Sequence, residues 1–363
     1  MSDRPNFDKT ALDQIRHALS EGQRVEAEHV ARFGHVRAPV TLRHAGQAFV
    51  AVGDRVLTDN RWNSFHDFLF TYIGSVIDQD WFRVEVEKPV ADRHPLMQWF
   101  QVLEDLGTWR DHPRGELRKV SAPPALVSAL LSLCYELYLA DNYGLLKPQL
   151  LERLKRPEHF QGARYEIYAA SAFLRAGFDV ELEDEDDRTT SHCEFNVTHR
   201  ASGRKYSVEA KSRQRTGYLG YAGARLPLEE IEAKCSDLIV KALRKSAAYE
   251  RIVFIDINVP PAESSSFDSD WFNKVVHQVG RLETKPPQGD ALPPSIVFFT
   301  NFPHHFIEGD KPLRGQSVIF TGIGISEFHG STKSDTIVQV KHAPILALFD
   351  SILKQTEVPH ELN

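Results

Sequence analysis

CEFNVTHRASGRKYSVEAKSRQR, residues 193–215, is the stretch of sequence that decides the fold. Apolar and polar side chains alternate along residues 193–199 and again along residues 205–211, which predicts two β-strands. Ser202 and Gly203, between the two strands, are typical turn residues. The stretch therefore predicts a β-hairpin with one apolar face and one polar face.

The polar face of this hairpin carries two acids and an amine. If the apolar side chains of both strands share one buried face, Glu194, Glu209 and Lys211 lie together on the opposite face. A slip of one residue in the strand pairing would separate them, so burial of the apolar face fixes their arrangement. Cross-strand neighbours lie about 5 Å apart, which is close enough for two carboxylates to hold one hard cation. The hairpin thus predicts a site for a divalent metal.

The composition of the whole chain limits the classes of function. Its 363 residues suffice for two domains, and 42% apolar and 26% charged residues are typical of globular proteins. Because the net charge is −7, bulk charge does not make the chain a polyanion binder, and any nucleic-acid site must be a local basic patch. The three cysteines form no CxxC pair, which argues against a zinc ribbon or a disulfide framework and predicts a reducing compartment.

No stretch of the chain has the pattern of a signal peptide or a membrane span. The first ten residues, MSDRPNFDKT, are polar and lack an apolar signal core. The most apolar window, Ala125–Ala140, is too short to cross a bilayer and contains Glu136, so it predicts a buried helix. We therefore expect a cytoplasmic location and no membrane partner.

The chain before the hairpin reads as a mainly helical N-terminal domain of unknown role, residues 1–158. A β-like patch at Pro39–Leu57 and a short alternating strand at Trp81–Val86 interrupt it. Helical spacing of apolar residues predicts helices at Asp8–Phe33, Pro95–Leu106, Pro124–Leu139 and Lys147–Arg156, and a further helix that begins at a cap formed by Asn63 or Ser64 and runs to about Asp78.

Residues 159–363 read as a second domain with a different pattern. A helix at Gln161–Ala176, ended by Gly177, precedes a strand and the hairpin. A long helix from Pro227 to about Tyr249 then leads to a strand, a helix and two further strands. This order predicts an α/β (α+β) fold in which a mixed β-sheet is flanked by helices.

The chemistry that this polar face suits is phosphodiester hydrolysis. Mg²⁺ prefers oxygen ligands and keeps several waters, so the carboxylates of Glu194 and Glu209 and the backbone carbonyl of Ala210 suffice to bind it. A bound metal lowers the pKa of water and neutralises phosphate charge. Lys211 can orient or deprotonate the attacking water and offset the developing negative charge.

The same residues resemble the PD-(D/E)xK nuclease superfamily, whose core is restriction-endonuclease-like. The matching residues are Glu194 and the triplet Glu209-Ala210-Lys211, and the order helix, β-meander, helix, strand over residues 160–300 is similar to the family core. The resemblance implies Glu194 and Glu209 as metal ligands, Lys211 as the residue that assists the water, and Glu166 as an outer or second-metal ligand. It implies Mg²⁺, with Mn²⁺ as a substitute, and DNA as the partner.

The chain departs from the family pattern in two places. Cys193-Glu194 stands where the family has Pro-Asp, and the extra methylene of glutamate moves the carboxylate. The helix predicted after Lys211 contains no glutamine, whereas some branches of the family carry a glutamine and a tyrosine there. We therefore do not assign the chain to those branches.

Basic residues are concentrated around the hairpin, although the chain as a whole is acidic. They are Arg200, Arg204, Lys205, Lys211, Arg213 and Arg215. We expect Arg213 and Arg215 to contact phosphates beside the scissile one, and Tyr218 and Tyr221 to stack on bases. The alternative for these four residues is a solvated loop without a ligand.

The sequence thus predicts a metal-dependent endonuclease that hydrolyses DNA with a Mg²⁺-activated water. Two alternatives stay open. The departure at Glu194 suggests a catalytically inactive nuclease-like protein that binds nucleic acid. The acidic net charge and the large helical N-terminal part suggest a protein-interaction module of a defence or regulatory system. A homodimer, or a protein partner bound through the N-terminal domain, is compatible with each.

Overall fold

The computed structural model describes residues 9–105, 123–183, 193–262, 270–287, 291–328 and 336–362. Within these ranges the chain forms two β-sheets with helices packed around them. The helices are α1 (Lys9–Phe33), α2 (Phe65–Ile77), α3 (Gln79–Val86), α4 (Pro95–Asp105), α5 (Ala125–Asn142), α6 (Pro148–Leu154), α7 (Pro157–Arg175), α8 (Ser236–Leu243), α9 (Asp270–Thr284), α10 (Thr336–Lys341) and α11 (Ala343–Lys354). The strands are β1 (Thr41–His44), β2 (Gln47–Val52), β3 (Arg55–Asp59), β4 (Phe178–Leu182), β5 (Phe195–His199), β6 (Lys205–Ser212), β7 (Glu250–Asp256), β8 (Ser295–Asn301) and β9 (Ser317–Ile323).

The larger sheet has six strands in the order β4-β5-β6-β7-β8-β9, so strands that follow one another in the chain are neighbours in the sheet. The pairs β6/β7 and β7/β8 are parallel, and the other three pairs are antiparallel. Parallel neighbours need a crossover connection, and α8 and α9 lie in these two connections. The predicted α/β fold with a mixed sheet flanked by helices is confirmed.

Helices cover both faces of this sheet. One face packs Val208, Ile252 and Phe254 into a core with α5 and α7. The other face packs Val253 and Ile255 into a second core with α8 and α9. Because β7 and β8 are buried on both sides, their sequences are continuous apolar runs rather than alternating ones.

The hairpin of β5 and β6 has the predicted register. Phe195 pairs with Val208 and Val197 pairs with Tyr206, and all four side chains are buried on one face. Gly203 in the turn has a φ of +69°, a conformation that glycine adopts at little cost. The register places residues 207, 209 and 211 on the opposite face.

The N-terminal part contains the smaller sheet, β1-β2-β3, which is antiparallel and confirms the β-like patch. The five helices predicted before residue 157 are present as α1, α2, α4, α5 and α6. Ser64 begins α2 with a capping box, in which its hydroxyl accepts from the Asp67 N–H and the Asp67 carboxylate accepts from the Ser64 N–H.

The predicted strand at Trp81–Val86 is wrong, because these residues belong to α3. The Asp78 carboxylate accepts hydrogen bonds from the N–H groups of Asp80 and Trp81 and caps this helix. The alternation of apolar residues in this short segment did not distinguish a strand from two turns of helix.

The long helix predicted from Pro227 to Tyr249 is also wrong. Only residues Ser236–Leu243 form an α-helix, and Leu228–Glu230 form a short 3₁₀ turn. The backbone carbonyls of residues 232, 233 and 234 accept hydrogen bonds from the side chains of Arg215, Gln278 and Arg213, respectively. Because these side chains satisfy the carbonyls, the segment is irregular and does not form an α-helix.

The core that includes α5 and α7 contains residues from both predicted domains. Phe68 and Tyr135 from the N-terminal part belong to the same cluster as Phe195, Phe254 and Leu348. α10 and α11 were not predicted, and α11 packs against α7 and β9. The division at residue 158 stays a prediction. Among the described residues, no helix has both the length and the apolar character needed to cross a bilayer.

Candidate active site

Two strands bring the predicted acids and the amine together. Glu194 precedes β5, and its N–H donates to the Val208 carbonyl at 3.0 Å, which fixes it beside β6. Lys211 Nζ lies 3.1 Å from Glu194 Oε1 and also forms an ion pair with Glu209 Oε1. One ammonium group therefore contacts both carboxylates. We call Glu194, Glu209 and Lys211 the carboxylate–lysine cluster.

The three members of the cluster differ in depth. The Glu209 side chain is fully buried, whereas those of Lys211 and Glu194 keep 25% and 22% of their surface exposed. Burial, followed by the repulsion of Glu194, raises the pKa of Glu209 to about 7 although Lys211 opposes the change. Burial on its own would lower the pKa of Lys211, but the two carboxylates outweigh it and raise that pKa. At neutral pH, Lys211 is therefore charged and Glu209 is close to its midpoint.

A second amine, which the sequence did not predict as a site residue, lies at the base of the cluster. Lys245 Nζ is 3.7 Å from Glu209 Oε1. The backbone that carries it is held from several sides, because its carbonyl accepts from Arg251 Nη2 at 2.8 Å and the Ser246 carbonyl accepts from Cys193 Sγ. Lys245 lies beyond the end of α8, so the spacing of residues in the sequence gave no signal for it.

Ser207 anchors the same segment from β6. Its hydroxyl accepts from the N–H groups of Ala248 and Tyr249 at 3.1 and 3.2 Å and donates to Asn196 Oδ1 at 2.8 Å. Asn196 in turn donates to the Glu183 carboxylate at the end of β4. The alternation that placed Glu209 and Lys211 on one face also places Ser207 there, and this is the signal that could have identified it.

The structure does not bring Glu166 into the cluster. Glu166 lies on α7 and forms an ion pair with Arg153 Nη2 at 2.8 Å. α7 packs against the sheet face formed by Val208, whereas Glu209 lies on the opposite face. The predicted catalytic or second-metal role of Glu166 therefore does not agree with its position.

Two of the four predicted nucleic-acid contacts are buried. Arg215 donates to the backbone carbonyls of residues 232, 257 and 258, and this network occupies its guanidinium. Tyr218 packs its ring against His305 and Phe306. A direct contact of Arg215 or Tyr218 with nucleic acid is inconsistent with this burial, so both predictions are corrected.

The other two predicted contacts are at least partly accessible. Arg213 forms an ion pair with Asp237 and donates to the Lys234 carbonyl, which holds the irregular segment before α8. Tyr221 is exposed at the surface. Of the four residues, Tyr221 is the one whose ring has open surface for stacking.

The oxygen atoms around the cluster suit a hard cation. Neither oxygen of the buried Glu209 accepts a hydrogen bond of ordinary geometry from the described part of the chain. Carbonyls alternate in direction along a strand, so the Ala210 carbonyl points the same way as the Val208 carbonyl, past the start of β5. No group of three or more His, Cys, Asp or Glu side chains that could hold a metal occurs in the described ranges. The candidate ligand set is therefore two carboxylates and one carbonyl.

Comparison with known proteins gives no relative from which a role could be transferred: no protein-family model, curated protein or solved structure matches this chain.

Proposed function

We propose that this chain is a metal-dependent nuclease of the PD-(D/E)xK type that hydrolyses DNA phosphodiester bonds. The observation that carries the proposal is the convergence of two carboxylates from neighbouring strands on the ammonium group of Lys211. The cluster has one buried acid and two partly exposed members, so its accessible side is polar and charged. This arrangement supplies oxygen ligands and a cationic group within one small volume.

The order of the surrounding elements supports the proposal. A helix (α7), an antiparallel meander (β4-β5-β6), a crossover helix (α8) and a parallel strand (β7) follow one another. The resemblance to restriction-endonuclease-like cores implies the same succession. The acidic residue, Glu194, immediately precedes the second strand of this meander, and the Glu-x-Lys triplet lies on the third, which is consistent with the resemblance.

The residues that would hold Mg²⁺ or Mn²⁺ are Glu194 and Glu209, with the Ala210 carbonyl as a third oxygen. When bound, the ion would neutralise charge on the phosphate and lower the pKa of a water molecule. Lys211 balances the two carboxylates through its ammonium group. Lys211 would be placed to donate a hydrogen bond to the attacking or phosphate oxygen. Lys245 compensates the buried charge of Glu209 from the other side.

The proposal is tested by incubating the purified chain with single- and double-stranded DNA in Mg²⁺ or Mn²⁺. We expect Glu209→Gln and Lys211→Met to lower the cleavage rate at least about 100-fold, because each removes a group that acts in the transition state. Lys205→Met is the matched control, since Lys205 lies exposed on the same strand and should leave the rate unchanged. Absence of cleavage by the folded wild-type chain, or equal rates for wild type and Glu209→Gln, would refute the proposal.

The ion pairs of Lys211 with both carboxylates also favour a second function, nucleic-acid binding without cleavage. Lys211 already neutralises both carboxylates, and this is compatible with a nuclease-like protein that binds nucleic acid without cutting it. In that case DNA affinity should fall steeply with salt, because binding releases counterions. It should also be unchanged by EDTA, and no product should form with either metal. Cleavage that Lys211→Met abolishes would exclude this second function.

A further inference from the structure

A cavity of about 240 Å³ lies between α5 and α7. These helices pack on the sheet face opposite Glu209, so the cavity is separate from the carboxylate–lysine cluster. Its walls include one side of each helix, the segment Phe302–His304 and part of α11. Nothing in the proposed nuclease chemistry uses it.

Three charged side chains line this cavity, and each is more than nine-tenths buried. Glu136 comes from α5, and Arg164 and Arg175 come from α7. Nε and Nη2 of Arg164 donate no hydrogen bond to the described chain, and Arg164 forms an ion pair with Asp256, with 4.0 Å between Arg164 Nη2 and Asp256 Oδ2. Both arginines act electrostatically on the Glu136 carboxylate.

Burial of these three charged side chains is unfavourable when they lack hydrogen bonds and close ion pairs. Taking a guanidinium out of water is unfavourable unless hydrogen bonds or an opposite charge compensate it. Arg175 is partly compensated, because it donates to the Gln355 carbonyl and lies over the Tyr135 ring. Arg164 has the long ion pair with Asp256, at 4.0 Å, but its Nε and Nη2 donate no hydrogen bond to the described chain. It is therefore the residue at which a bound group would gain the most.

The balance of charge in the cavity favours an anion. Two guanidinium groups and one carboxylate line the cavity, and a second carboxylate, that of Asp256, lies 4.0 Å from Arg164 outside the lining. Burial, followed by repulsion from Arg164 and His305, lowers the pKa of His304 so that this ring is neutral. Burial raises the pKa of Glu136 to about 7, against the opposing effect of the two arginines. Glu136 can therefore accept a hydrogen bond from a ligand without making the cavity negative.

We propose that this cavity binds one small oxyanion, a phosphate monoester or a carboxylate, that also carries a hydroxyl or amino group. The anionic group pairs with Arg164, and the hydroxyl or amino group donates to Glu136. The volume holds roughly eight waters or one molecule of about ten nonhydrogen atoms, so a nucleic-acid strand is excluded. The alternative occupant is water alone. This inference does not depend on the proposed nuclease function.

Calorimetric titration of the full chain tests the proposal with three probes. They are inorganic phosphate, glycerol 3-phosphate and L-glutamate. We expect glycerol 3-phosphate or L-glutamate to bind with a Kd below about 1 mM, and which of the two binds identifies the anion. Inorganic phosphate has no hydroxyl or amino group separate from the anionic group that pairs with Arg164, so it should bind more weakly. Equal affinity for inorganic phosphate and glycerol 3-phosphate would contradict the role of Glu136.

Two variants and a control make the test specific. Arg164→Gln should weaken binding at least about tenfold, because it removes a charged hydrogen-bond donor. Ser132→Phe adds a ring to the cavity wall and should abolish binding without removing a charge. It therefore tests whether the ligand binds in the cavity even if Arg164→Gln does not fold. Arg83→Gln, at an exposed ion pair with Asp80, should bind like the wild type. No binding of any probe by the folded chain, or full binding by Ser132→Phe, overturns the proposal.

Discussion

Lys211 Nζ lies 3.1 Å from Glu194 Oε1, and the same ammonium group contacts Glu209, so one cation joins the acids of two neighbouring strands. Register fixes this relationship. Phe195 and Val208 are paired and buried on the other face, and a slip of one residue would expose the apolar side chains of one strand to water. The cluster is thus a consequence of core packing as well as of its own charges.

Removal of the Lys211 ammonium should destabilise the fold, and more so at high pH. Lys211→Met leaves Glu209 buried without its closest cation, for which we expect a loss of about 3 kcal/mol in the free energy of unfolding at pH 8. At pH 6 the loss should be smaller, because Glu209 then holds a proton. Urea unfolding at both pH values measures this difference. Lys205→Met should change stability by less than about 0.5 kcal/mol at either pH, and an equal loss for both variants would contradict the prediction.

The stability of the Glu209→Gln variant should rise relative to the wild type as the pH increases from 5 to 8. The pKa of Glu209 is about 7 in the folded chain, above its ordinary value of 4.5. Between these values the folded chain holds a proton that the unfolded chain has released, so wild-type stability falls with pH. Glutamine does not titrate and lacks this fall. Glu136 and Asp256 also have raised pKa values but are present in both proteins, so the difference isolates Glu209. A difference that is flat or decreases with pH would contradict the assigned direction.

Removal of the Ser207 hydroxyl should lower the free energy of unfolding by more than the loss of one hydrogen bond would. Ser207→Ala removes the acceptor of two backbone N–H groups and the donor to Asn196, so we expect a loss of about 2 kcal/mol in the free energy of unfolding. Ser317→Ala is the matched control, because that hydroxyl is buried without a hydrogen-bond partner in the described chain, and its removal should be near neutral. Thermal or urea unfolding compares the two. Similar losses for both variants would show that the network around Ser207 is not important.

Substitution of Arg215 should lower the stability of the fold, whereas substitution of Tyr221 should weaken DNA binding. Arg215→Met removes three hydrogen bonds to backbone carbonyls and should cost about 3 kcal/mol of stability or more. Tyr221→Ala, at an exposed position, should leave the melting temperature unchanged but weaken binding of single-stranded DNA by about 1 kcal/mol or more if its ring stacks on a base. Fluorescence anisotropy measures the affinity. An unchanged affinity for Tyr221→Ala would exclude the stacking role.

Local pattern was sufficient to predict the hairpin and most of the helices. Alternation gave the β5–β6 register, and helical spacing gave α1, α2 and α4–α7 with ends that differ by a few residues. These elements are predictable because their patterns repeat over their whole length. α3 was mistaken for a strand because it is short, and a capping carboxylate decides its conformation.

Three features could not be predicted from the sequence because contacts between distant residues determine them. The segment before α8 is not helical because the side chains of Arg213, Arg215 and Gln278 donate hydrogen bonds to its carbonyls. Its composition is helical, so only the tertiary contacts could correct the prediction. Lys245 reaches Glu209 from a segment that Cys193, Ser207 and Arg251 hold in place. The separation of Glu166 from the cluster required knowing which sheet face α7 covers.

The hydrophobic cluster that joins Phe68 and Tyr135 to Phe195 and Phe254 has a consequence for how the molecule melts. A fragment cut at residue 158 would leave the apolar partners of α7 behind and would expose them to water. Heating should therefore produce one cooperative transition rather than two separate ones, with calorimetric and van't Hoff enthalpies in agreement.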